Sequence, residues 1–155
     1  MKKTDHIEVM EARSVDAIPT GKEWQYEPKW DGFRCLLTRD ADAVAMYSKS
    51  GQDLTRYFPE VLTSALMLRE KHFAMDGELF VPVGGRFSFD DLLQRIHPAA
   101  SRVRKLAEQT PALFLAFDLL KNSRIDRAAM SLRKRRPLLE DFAERNFPRV
   151  ALFRL

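Results

Sequence analysis

The stretch "EPKWDGFR", residues 27–34, sets a lysine between Pro28 and an Asp31-Gly32 turn, with Glu27 before it and Arg34 after it. Proline fixes one backbone angle, and Asp-Gly favours a tight turn. A lysine punctuated on both sides is positioned rather than free, and a positioned amine can act as a nucleophile. Lys29 is therefore the first candidate catalytic residue.

The flanking sequence gives the frame that would carry such a loop. "WQYEPKW" (24–30) has strand-like aromatics up to Pro28, which cannot donate to a central ladder. "FRCLLT" (33–38) and "AVAMYS" (43–48) predict two strands joined as a hairpin through "RDADA". "SGQDLTRYFPE" (50–60) reads as a loop. "EVLTSALMLREKH" (60–72) has helical spacing at Val61, Leu62, Leu66 and Leu68. "FAMDGELFVPVGGRFSF" (73–89) predicts strand, glycine turn and strand. "FDDLLQRI" (89–96) and "SRVRKLAEQ" (101–109) predict short helices, the second capped by Ser101. "ALFLAFDLL" (112–120) is apolar enough for a buried strand. "SLRKRRPLLEDFAERN" (131–146) predicts a helix that kinks or starts late at Pro137, where a hydrogen bond is lost. "RVALFRL" (149–155) predicts a last strand. Strands and helices without regular βαβ alternation point to an α+β fold with antiparallel sheets.

Composition narrows the class. The chain has 155 residues, 45% hydrophobic and 31% charged, which is ordinary for a globular protein and enough for a core. A lone cysteine, Cys35, cannot form an internal disulfide, so a reducing cytoplasm is the expected location, with Cys35 in the core. His6, His72 and His97 lack zinc or haem spacing, and His97 in "HPAAS" is assigned a loop or capping role. No apolar run approaches membrane-spanning length, so no membrane partner is expected. Lys plus Arg number 26 against 22 Asp plus Glu, a net +4 that permits a polyanionic partner without requiring one. The basic runs "SRVRK" (101–105) and "RKRR" (133–136) each read as a solvated helix face.

Four motifs, in order, carry the functional reading. Lys29-Trp30-Asp31-Gly32-Phe33-Arg34 fits K-x-D-G-x-R and resembles motif I of the covalent nucleotidyltransferases: DNA ligases, RNA ligases and mRNA capping enzymes. Asp76-Gly77-Glu78 resembles motif III of that family. Phe117-Asp118 in an apolar strand resembles motif IIIa. "SKSGQDLTRYFPE" (48–60) resembles the S-R-x-G…F-P-E segment after motif I, with Lys49 where arginine is usual, which removes a bidentate contact. The similarity runs from about Val9 to the last residue and is greatest to the short bacterial ATP-dependent DNA ligases.

That resemblance implies a nucleotidyltransferase (ATP-grasp-like) adenylation domain over residues 1–155, α+β, with antiparallel sheets flanked by helices. It implies ATP and Mg2+ (or Mn2+) as cofactors, nicked double-stranded DNA as partner, and a place in DNA repair, recombination or replication. By the same resemblance Lys29 attacks the α-phosphate, burial beside a second cation having made its amine neutral. Glu27 contacts adenine, Arg34 forks onto a ribose or phosphate oxygen, Lys49 contacts nucleotide, Glu78 meets a ribose hydroxyl or the metal, and Phe117 stacks on the base. The family's motif IV (E-G-x-x-x-K), its paired-lysine motif V and its oligonucleotide-binding barrel are not found. The expectation is an amino-terminal, incomplete part of the adenylation domain, inactive or nearly so alone, with another polypeptide completing it. A non-catalytic nucleotide- or DNA-binding module, a split-enzyme subunit, and an RNA-ligase or GTP-dependent capping type remain as alternatives.

Overall fold

Burial alternates along the first strand. In β1 (Phe33–Asp40), Cys35, Leu37 and Arg39 are buried, while Arg34, Leu36 and Thr38 are half-buried on the other face. The computed structural model describes residue 7, residues 9–147 and residues 152–155. A two-residue connection with Ala41 at φ 55° returns the chain as β2 (Ala43–Ser48), giving the predicted hairpin. After α1 (Pro59–Met67), β3 (His72–Phe80) pairs with β1, and β6 (Leu113–Asn122) pairs with β3, all antiparallel. The sheet order is β2-β1-β3-β6-β7, where β7 is Ile125–Asp126, and β8 (Phe153–Arg154) joins β6 in parallel. A small hairpin of β4 (Pro82–Val83) and β5 (Arg86–Phe87) turns through Gly84-Gly85, both at positive φ. The remaining helices are α2 (Phe89–Leu93), α3 (Ala100–Gln109) and α4 (Leu132–Asn146).

Directly opposed residues share a face, so the register separates two surfaces. One carries Cys35, Leu37, Met46, Met75, Leu79 and Phe114, which join Val61 and Ala65 of α1 and Leu139 and Phe142 of α4 in one core. The other carries Arg34 opposite Glu78, and Leu36 opposite Asp76, which in turn opposes Asp118. Arg39, on the apolar face, and Leu36, on the other, are the exceptions in β1 to this division.

Several expectations change. The helix predicted over 60–72 ends at Met67, because Arg39 Nη1 donates to the carbonyls of Ala65 (2.8 Å) and Leu68 (2.9 Å) and closes that end. The loop over 50–60 holds a 3-10 turn at Thr55–Tyr57 and the start of α1 at Pro59. Helix α3 begins at Ala100, with Ala99 rather than Ser101 at its cap, since the Ala99 carbonyl already accepts from Val103. The Ala99 N–H donates to His97 Nδ1 at 3.1 Å, a contact within the loop that leads into α3, where no side chain caps the helix. Helix α4 does not start late: it begins at Leu132 with Pro137 inside it, its first turn pinned by the buried Arg135. That burial also overturns the reading of "RKRR" as a solvated face. Residues 24–30 adopt no regular secondary structure. Of the strand predicted over 149–155, residues 149–151 lie outside the described residues, as does His6. No helix among the described residues is long and apolar enough to cross a membrane.

Candidate active site

Two motif glycines bring the site together by close approach. A Cβ on Gly32 would lie 2.4 Å from the Leu79 carbonyl oxygen, and one on Gly77 would lie 2.5 Å from that of Leu115. Neither glycine needs a left-handed backbone; each is required because another strand passes where a side chain would stand. The approach at Gly32 lets its N–H donate to Glu78 Oε1 at 3.1 Å, fastening the Lys29 loop to β3. Burial is the largest influence on the Glu78 carboxyl and pushes its proton affinity up, opposed by the Gly32 N–H and by Lys29 and Arg34.

Beneath the loop lie two ion pairs, one part-buried and one buried. Arg34 forks onto Asp76, with Nε to Oδ1 at 3.2 Å and Nη2 to Oδ2 at 2.7 Å, and also donates to the Met10 carbonyl. Arg135 forks onto Asp118, at 2.8 and 2.7 Å, and donates to the carbonyls of Ala128 and Met130. Burial pushes Asp76 up, Arg34 pulls it down, and Asp118 across the ladder adds to the rise. Each guanidinium is held more firmly in its charged form by its carboxylate. The aspartates of the D-G-E and F-D motifs are thus anchors of the sheet.

Between Asp76 and Gly77 the register jumps from Asp118 to Ala116, so Phe117 is the extra residue of a β-bulge. A bulge re-aims a side chain. Here it places Phe117 in the lining of a cleft, with the Arg34 guanidinium 5.7 Å from its ring centroid.

That cleft, of about 670 Å³, gathers Glu27, Lys29, Arg34, Glu78 and Phe117 from three separate segments, together with Trp30, Asp118 and Arg136. Five of the six predicted site residues therefore meet. Lys49 does not line the cleft; its Nζ lies 3.2 Å from Glu11, which does. Lys29 is not in the expected setting. Its side chain is 89% exposed and its Nζ sits 3.5 Å from an Asp31 carboxylate, an anion rather than a second cation. Arg34, expected to fork onto a ligand, spends its fork on Asp76. Glu27 Oε1 accepts from Arg136 Nη1 at 3.0 Å and from Gln25 Nε2 at 2.5 Å. Arg136 escaped sequence reading because 109 positions separate it from Glu27; the basic run at 133–136 was its only signal.

Among the described residues no three His, Cys, Asp or Glu groups cluster as a metal cage. Magnesium characteristically takes one or two carboxylates and completes its shell with water and phosphate oxygens. Glu78, in the lining of the cleft, offers one such carboxylate.

An antiparallel sheet bearing this cleft is the nucleotidyltransferase fold seen in ligase domains. The model of the ATP dependent DNA ligase domain matches residues 6–154, and the chain belongs to that family. It is 45% identical over 134 residues to DNA ligase C2 of Mycolicibacterium smegmatis, covering 86% of this chain and 37% of that protein. It is 50% identical over 119 residues to DNA ligase C1 of the same species, covering 74% and 34%. Among solved structures it resembles a mycobacterial DNA ligase D complexed with ATP and MES, with TM-score 0.61, 30% identity, and coverage of 78% of this chain and 37% of that one. The chain thus spans about a third of the length of these relatives.

Proposed function

We propose that this chain is a nucleotidyltransferase module of an ATP-dependent DNA ligase, in which Lys29 takes AMP from ATP for the sealing of nicked double-stranded DNA. The observation that carries the proposal is the convergence of Glu27, Lys29, Arg34, Glu78 and Phe117 on one cleft. The Lys29 ammonium first gives a proton to solvent. Its nitrogen lone pair then attacks the α-phosphorus, a P–N bond forms, the bond to pyrophosphate breaks, pyrophosphate leaves with the electron pair, and the nitrogen gives a second proton to solvent. AMP passes next to the 5′-phosphate of the nick, regenerating Lys29. The 3′-hydroxyl attacks that phosphate, a phosphodiester forms and AMP departs.

Phe117 offers a face for the base, with Arg34 behind it, and Glu78 accepts from the ribose or holds magnesium or manganese. The metal, when bound, supplies charge neutralisation at the phosphates. Lys49 reaches nucleotide only by leaving Glu11. Because Lys29 is exposed and beside Asp31, the chain alone takes up AMP slowly, and a polypeptide supplying cations over the phosphates accelerates it. The relatives include a bifunctional non-homologous end joining protein LigD of Bacillus subtilis, 33% identical over 130 residues, so double-strand-break repair is the process we assign.

Incubation with α-labelled ATP and magnesium, followed by denaturing electrophoresis, tests the proposal. Slow covalent label from ATP, faster with the carboxyl-terminal region of DNA ligase C2 added, is expected. Label from GTP in preference to ATP would assign a capping type instead. Absence of label under both conditions contradicts the proposal.

A further inference from the structure

Neighbouring residues of α4 serve different ends. Arg135 turns inward to Asp118, which fixes the first turns of the helix. Arg136 reaches the cleft, where Nη1 meets Glu27 at 3.0 Å and Nε meets Glu140, one turn on, at 2.9 Å. Two donors converge on Glu27 Oε1, from Arg136 and Gln25, while Oε2 accepts no hydrogen bond from the described residues. A carboxylate fixed by one oxygen presents the other as a pure acceptor.

We propose that Arg136 is the positioning residue for base selection: it holds the Glu27 carboxylate still, so that the cleft takes a purine with an amino group at its 6-position and rejects one with a carbonyl there. This rests on the reading of the cleft as a nucleotide site. An adenine amine donates to Oε2, whereas guanine would set its carbonyl oxygen against a second acceptor and leave both unpaired. A site built around one hydrogen bond discriminates strongly against the base that cannot make it. Discrimination needs the acceptor to stay put, and residues 24–30 lack regular structure that would hold Glu27 by itself. The helix, through Arg135 and then Arg136, supplies that rigidity from the far end of the sequence.

Equilibrium binding of ATP and of GTP to the full chain, by competition against a fluorescent ATP analogue, tests the inference in wild type, Arg136→Ala, Arg136→Lys, Glu27→Gln and the double variant Arg136→Ala/Glu27→Gln. Wild type should prefer ATP. Arg136→Ala should weaken ATP roughly tenfold or more while leaving GTP nearly unchanged, as expected for loss of a hydrogen bond to a charged group. Arg136→Lys should recover part of the preference, since lysine supplies charge without the fork. The double variant should discriminate no worse than either single one, because both remove the same device. If Arg136→Ala does not fold, Arg136→Lys and Glu27→Gln carry the test. An unchanged ATP-to-GTP ratio in these variants, even with both affinities reduced, overturns the inference alone, as does a wild type that binds ATP without preference. A wild type that binds neither nucleotide removes the nucleotide-site reading and the inference with it.

Discussion

Asp118 is 2% exposed and gripped through both oxygens by Arg135, whereas Lys29, in the lining of the same cleft, is 89% exposed and meets one carboxylate at 3.5 Å. The floor of the cleft is a ladder of paired strands with a buried and a part-buried ion pair and a bulge. The strap above it, residues 24–31, is irregular chain joined to that floor by the Gly32–Glu78 hydrogen bond and to α4 by Glu27–Arg136. Pre-organisation is therefore invested in the surface that would receive the base and sugar. The amine we assign as the nucleophile stands on the irregular strap.

If that contrast is right, substitutions should sort by location. Asp118→Ala leaves Arg135 buried without its partner, and unfolding by urea should reveal a loss of about 3–5 kcal/mol. Gly77→Ala drives a methyl into the Leu115 carbonyl and the Phe114 ring, neither of which can retreat without breaking the β3–β6 ladder, so about 1–3 kcal/mol should go. Lys29→Ala, by contrast, should change stability by no more than ~0.5 kcal/mol, because an exposed ion pair contributes little. A loss from Lys29→Ala equal to that from Asp118→Ala would erase the distinction.

The smallest effect concerns pH. Glu78 holds its proton more tightly folded than unfolded, chiefly through burial. The folded state then binds more protons than the unfolded one between the ordinary glutamate value and the raised one. Stability contributed by Glu78 is complete below that window and declines as pH rises through it. Glu78→Gln should flatten this decline, so the variant gains on wild type as pH increases in denaturant titrations. A gain in the opposite direction would contradict the burial of Glu78 at the foot of the strap.

Much of this was legible in the chain itself. Alternation in "FRCLLT" and the apolar run "ALFLAFDLL" located the central strands, and three ordered motifs located the cleft. What local pattern could not reach was long-range. Arg39 closing α1, Arg135 pinning α4 and Arg136 meeting Glu27 all depend on partners between 17 and 109 positions away. Pro137 and Ser101 also misled, the one for a long-range reason and the other for a local one. Pro137 costs a hydrogen bond locally, yet the helix starts where Arg135 anchors it; Ser101 is a good cap, yet the turn closes on Ala99. Asp76 and Asp118, to which the motifs assigned no role of their own, anchor Arg34 and Arg135.

The most direct measurement maps AMP on the protein. The chain, supplemented with the carboxyl-terminal region of DNA ligase C2, is incubated with ATP and magnesium and then digested, and its peptides are weighed by mass spectrometry, for wild type and for Lys29→Arg. Arginine keeps the charge but stays protonated and has no lone pair to offer, so a nucleophilic lysine cannot tolerate the exchange while an electrostatic one can. AMP confined to the peptide bearing Lys29, and missing from Lys29→Arg, is the predicted result. AMP on any other lysine, or wild-type uptake by Lys29→Arg, would contradict the assignment of Lys29 as the nucleophile.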